Sequence, residues 1–102
     1  MQIFHVILTD KAKADLADIV NYLNKFSPGT ATKYAKLIYK KMNALDVFPN
    51  AHPFVRNERL RELGMRWTSA RNYTIFFCVD EKKSVVYIEH IMYARCSFDA
   101  IL

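Results

Sequence analysis

Glycine is nearly absent from this sequence, with Gly29 and Gly64 the only two in 102 residues. Neither lies in a Walker or dinucleotide-binding pattern, so glycine loops that cradle phosphates are excluded, and ATP or nicotinamide chemistry is not expected. Cysteine is as scarce. Cys78 and Cys96 show neither the paired spacing of a zinc site nor the density of a disulfide scaffold. Both are read as reduced thiols, Cys78 as a packing residue in an apolar run. His5, His52 and His90 are widely separated, so neither a metal site nor a cofactor is expected. No stretch of about 18 apolar residues occurs, and the opening MQIFHVILTDKAK has no basic region or small-residue cleavage site of the kind that directs secretion. A soluble, cytoplasmic protein that stays out of membranes is expected. Repeats, low-complexity segments and a serine-hydrolase nucleophile elbow are missing as well.

What is present suits one compact domain over 1–102: the hydrophobic share is 52%, enough for a single core in a chain too short for two. Fifteen Lys and Arg against ten Asp and Glu give a net charge of +5. That excess favours an acidic partner, whether nucleic acid, an acidic protein segment or an anionic surface.

Residues 2–8, QIFHVIL, are β-branched and aromatic enough for a strand, and Thr9 or Asp10 then offers an N-cap. Over 10–25, Ala12, Leu16, Ile19, Val20 and Leu23 recur at helical spacing. Ser27-Pro28-Gly29 interrupts that pattern and opens a second helix over 28–47, with Ala31, Tyr34, Ala35, Ile38, Met42 and Leu45 on its apolar side. Lys33, Lys36, Lys40 and Lys41 fall mostly on the other side, and are read as an ordinary solvated face. The prolines of FPNAHP end the helix. After a charge-rich connection over 55–64, strands are predicted at 65–70, 73–79 and 84–92. Arg71-Asn72 and Asp80–Lys83 form the turns between them. The strand 73–79 is apolar on both alternate faces and so should be covered on each side, whereas Glu89 and His90 interrupt the pattern of its neighbour. The fold class expected is α+β: an N-terminal strand, an α-helical hairpin, then a three-stranded antiparallel sheet. The tail YARCSFDAIL carries apolar residues to its last position and is expected to dock.

Polar and basic groups concentrate late in the chain, at Arg66, Arg71, Tyr73, Glu89, His90, Tyr93 and Arg95. Cleavage of RNA through its own 2′-hydroxyl needs a base, an acid for the leaving oxygen, and cations for the charge that develops on phosphorus. His90, Tyr93 and Arg95 are the candidate catalytic set, and Arg66, Arg71 and Arg95 the candidate target- or nucleic-acid-binding set. The competing reading is structural: strand arginines pair with helix acids, strand histidines hydrogen-bond, and tyrosines pack.

KAKADLADIVNYL, the HP at 52–53, LGMRW at 63–67, NYTIFF at 72–77 and YIEHIMYAR at 87–95, taken in this order, resemble the RelE/ParE superfamily of toxins over essentially the whole chain. Arg66 following Gly64, and Met92-Tyr93-Ala94-Arg95 after the final strand, are more similar to the ParE branch than to the RelE branch. RelE proteins commonly carry an arginine directly after the tyrosine of the penultimate strand, where this sequence has Thr74. The resemblance implies a toxin of a type II toxin–antitoxin pair that inhibits DNA gyrase and blocks replication. Arg66, Arg71, Tyr93 and Arg95 would then be contact residues. The alternative it implies is a metal-independent endoribonuclease that cuts mRNA on the ribosome. Either branch implies a cognate antitoxin whose acidic or amphipathic tail wraps the toxin in a hetero-oligomer. A plain interaction domain, inert by itself, is a third reading.

Overall fold

The computed structural model describes residues 2–94, in the order β1 (His5–Leu8), α1 (Asp10–Asn24), α2 (Pro28–Asn43), α3 (Glu58–Glu62), β2 (Arg66–Ala70), β3 (Tyr73–Asp80) and β4 (Val85–Tyr93). Each helix starts where a side chain satisfies a free amide. The Thr9 hydroxyl accepts from Ala12 N at 3.2 Å, and Ser27 Oγ accepts from Thr30 N at 3.4 Å with Pro28 in the first turn. The helical hairpin therefore stands as expected, although α2 is shorter than 28–47. It gives way at Ala44–Asp46 to a tight 3-10 turn, one of the ways a helix end satisfies its last carbonyls.

The short α3 lies in the segment read from sequence as a connection. Asn57 Oδ1 accepts from Leu60 N at 3.2 Å to start it, and Gly64 stops it at φ 81°. Gly64 N donates to Arg61 O and Met65 N to Leu60 O, the paired bonds of a Schellman motif, which favours glycine at its left-handed position.

The sheet differs from the expected three antiparallel strands. It has four, in the order β1-β4-β3-β2, because β1 joins β4 in parallel with His5 opposite Val85 and Leu8 opposite Ile88. Parallel neighbours need a long crossover, and here everything from α1 to β3 supplies it. Thr9 completes the junction, its N and Oγ1 both donating to Ile88 O. β2–β3 and β3–β4 are antiparallel as read, with one irregularity: Phe77 faces Ile88 and Phe76 faces His90, so Glu89 is an extra residue in a bulge. That bulge is the physical content of the broken pattern at Glu89 and His90.

Both faces of β3 are covered. Tyr73, Ile75 and Phe77 join Val86, Ile88 and Ile91 against Leu16, Ile38, Met42 and Leu45 on the helical side. On the opposite face Phe76 and Met92, with Cys78 beside them, meet Val55, Leu60 and Met65 around α3. Cys78 is half-buried, not fully enclosed, and burial, then Glu89, pushes its thiol up to about 11. A thiol so placed stays protonated and packs.

Candidate functional site

Arg66 opens β2, and its side chain is engaged within the protein. Nη1 donates to His52 O at 2.6 Å and to Asn50 O at 3.2 Å, while the guanidinium lies 3.8 Å from the centroid of the Phe54 ring. Phe54 also bridges Arg66 through the backbone, and Trp67 N donates to Pro53 O. The 50–54 loop is thus tied to the edge of β2. His52 packs edge-on to Phe77, with centroids 5.6 Å apart. Burial, then Lys41 and Arg66, lowers its pKa below the usual imidazole value.

His90 is held at the outer edge of β4, where β1 has ended. Its Nδ1 lies 3.6 Å from Asp15 Oδ2, buried and without a hydrogen bond. The same carboxylate oxygen accepts from Ile91 N at 3.1 Å, and Oδ1 pairs with Lys11 at 2.6 Å. Asp15 therefore closes a stretch of strand edge that lacks a neighbouring strand.

Arg71 sits at the other end of the β2–β3 hairpin, in its turn. It is exposed and has φ 55°, whereas Asn72 beside it does not take positive φ. Tyr73 follows and faces Tyr93 across the β3–β4 ladder, the two rings edge-to-face with centroids 5.7 Å apart. Tyr34 of α2 meets Tyr73 in the same way at 5.9 Å. These rings, with Tyr22 of α1, enclose a cleft of about 610 Å³ between the helical hairpin and the sheet, where Asp18, Thr30 and Asn72 add polar atoms. The Tyr73 phenol is raised above the usual tyrosine pKa by burial, then by Tyr34, Tyr93 and Tyr22.

The sequence-derived candidates thus separate. Arg71 and Tyr93 are brought to one end of the sheet. Arg66 lies at the far end of β2, roughly 15 Å away along an extended strand. His90 and Tyr93, three positions apart on one strand, leave the backbone on opposite sides. Arg95 lies outside the described residues, as do Cys96 and the tail beyond Ala94. The cleft adds Tyr22, Tyr34 and Asn72, which sequence reasoning does not single out as site residues. The helical pattern places Tyr34 on the apolar side of α2, and nothing local marks Tyr22 as its partner across the hairpin. Among the described residues no group of three or more His, Cys, Asp or Glu could hold a metal, and no helix is long and apolar enough to cross a membrane.

A family model described as the ParE toxin of the type II toxin–antitoxin system, parDE, matches residues 6–97. Solved structures with a similar fold include a chain of the chromosomal ParDE system from P. aeruginosa, with a TM-score of 0.74 and 21% identity, covering 93% of this chain and 100% of that one. The E. coli toxin RelE, as a double arginine-to-alanine mutant in the free state, is similar at a TM-score of 0.64 and 15% identity over 93% of this chain and 87% of its own. The RelBE2 toxin–antitoxin complex of Mycobacterium tuberculosis contains a chain similar at a TM-score of 0.59 and 17% identity, covering 89% of this chain and 98% of that one. No curated protein sequence matches.

Proposed function

The chain belongs to the ParE toxin family of type II toxin–antitoxin systems, and on that premise we propose that it acts in the cytoplasm on DNA gyrase, halting replication by binding rather than by cutting RNA. The observation that carries this reading is the separation, among the described residues, of the candidate acid, base and cations. Cleavage at one phosphate needs those groups within hydrogen-bond reach of the same few atoms. Arg66 is engaged with two loop carbonyls, His90 stands beside Asp15 at the sheet edge, and Arg71 and Tyr93 lie at the end of the sheet remote from Arg66. Thr74, placed opposite Met92 in the β3–β4 ladder, brings no cation to the centre of the sheet.

The partner proposed is a cognate antitoxin with an acidic or amphipathic segment. A surface of net charge +5 attracts such a segment. A sheet edge such as the outer side of the end strand β1, and the groove of a helical hairpin, are the two kinds of surface that receive a strand or a helix.

The test is the purified chain, freed of antitoxin, added to gyrase with plasmid DNA and ATP and followed by denaturation. Linear DNA is the expected product. Intact plasmid with active gyrase, together with codon-phased cuts in ribosome-bound mRNA, would overturn the proposal in favour of the ribonuclease.

A further inference from the structure

Two cavities on the helical side of the molecule meet at one side chain, Tyr34. One is the tyrosine cleft. The other, about 270 Å³, runs along α2 and is lined by Lys33, Tyr34, Lys36, Leu37, Lys40 and Arg71. None of its lining residues is acidic, and among the described residues none of its four cations forms an ion pair. Like charges gathered without counter-charge raise the energy of the free protein, and an anion laid along them relieves it. Arg71 provides a second observation. Its φ of 55° disfavours any residue with a Cβ, and the adjacent Asn72, of a type that tolerates that conformation well, is not the one that adopts it. Local turn chemistry would prefer the reverse order; the observed one sets a guanidinium at the rim of the lysine groove.

The cleft beside that groove is built for a flat group. Tyr73 is 7% exposed and forms its floor, while Tyr22 and Tyr93, 58% and 42% exposed, offer ring surface at its mouth. Aromatic walls next to a cationic track are the two components of single-strand recognition, stacking for the bases and charge for the backbone. We propose that this composite surface binds a single-stranded nucleic-acid segment, with an unstacked base in the tyrosine cleft and the flanking phosphates along Lys33, Lys36, Lys40 and Arg71. The Asn72 amide and the Asp18 carboxylate lie in the cleft, where they can donate to and accept from a base edge, the carboxylate taking a ring N–H such as that of thymine. A duplex keeps its base faces stacked and cannot fill the cleft. An acidic peptide matches the cations but brings no obligatory flat group. The site concerns what the chain binds by itself, so it stands or falls separately from the gyrase reading.

The experiment is fluorescence anisotropy of a short fluorescein-labelled oligo(dT), and of a duplex of equal length, titrated with the full chain at several salt concentrations. The single strand is expected to bind at least about fivefold more tightly than the duplex, and Tyr22→Ala and Tyr93→Ala each to weaken it by about 5- to 100-fold without changing the salt slope. Lys36→Ala should weaken binding and reduce the slope of log affinity against log salt by about 0.7. Tyr22→Phe, which keeps the ring, should bind like the parent, so a lost fold cannot be mistaken for lost stacking. Equal binding of duplex and single strand with neutral tyrosine variants would overturn the proposal, leaving only non-specific charge attraction. Displacement of oligo(dT) by polyglutamate at equal or lower charge concentration would overturn it in favour of an acidic protein segment.

Discussion

Arg66 and Arg71 flank one strand, β2, and are put to opposite uses. Arg66 turns inward on its own chain, held by two carbonyls and the Phe54 ring. Arg71 is exposed, unpaired among the described residues, and carried on a backbone conformation that its residue type disfavours. In the first case the guanidinium fork satisfies loop carbonyls that would otherwise need water. In the second the protein tolerates local strain to keep a cation outward, which is where binding residues tend to be found. A basic residue count treats the two as equal, yet Arg66 already makes hydrogen bonds within the chain and Arg71 makes no ion pair among the described residues.

Substitution should separate them sharply. The largest effect is expected from Arg66→Ala, which removes two charged hydrogen bonds and the ring contact and should cost about 2 kcal/mol of stability in urea denaturation. An unchanged midpoint would mean that the 50–54 loop holds itself in place. Arg71→Gly should do the reverse. Relieving the positive φ should raise stability by up to about 1 kcal/mol and lift the melting temperature, even as single-strand binding weakens. A fall in melting temperature would remove strain from the account of that turn. The smallest effect concerns His52, beside Arg66. Its pKa is lowered in the folded state, so the unfolded chain binds the proton more readily. The contribution of His52 is therefore complete above the unfolded value near 6.5 and is lost as pH falls through the lowered folded value. Denaturation midpoints for the parent should drop more on going from neutral to mildly acidic pH than those of His52→Gln. Parallel curves would show that this imidazole is not part of the acid response.

Much of the architecture was legible because it is written in local patterns. The helical hairpin follows from Ser27-Pro28 between two apolar stripes, and β3 from an unbroken run of β-formers that both cores cover. The parallel pairing of β1 was not legible, since nothing near residues 5–8 specifies a partner at residues 85–88. α3 was missed for a different reason. A five-residue helix with one buried residue, Leu60, shows no periodicity, although Asn57 and Gly64 bracket it with the usual start and stop signals. At the site, residue type drew attention to Arg71 and Tyr93. It could not reveal that Tyr22 and Tyr34, on different helices, close over the same space, nor that lysines read as a solvated face border it. Those relations come from how α1, α2 and the sheet pack, and packing is invisible to a pattern read along one element.

The pairing of β1 with β4 also bears on how the protein is made. The first strand waits, during synthesis, for a neighbour about eighty residues later, and the helical hairpin emerges with its inner face facing water until the sheet arrives. β4 contributes Tyr93 to the cleft and Ile88 and Ile91 to the core. A nascent chain whose ribosome has not yet released β4 is consequently unfinished, and its core and tyrosine cleft can close only once that strand has been made.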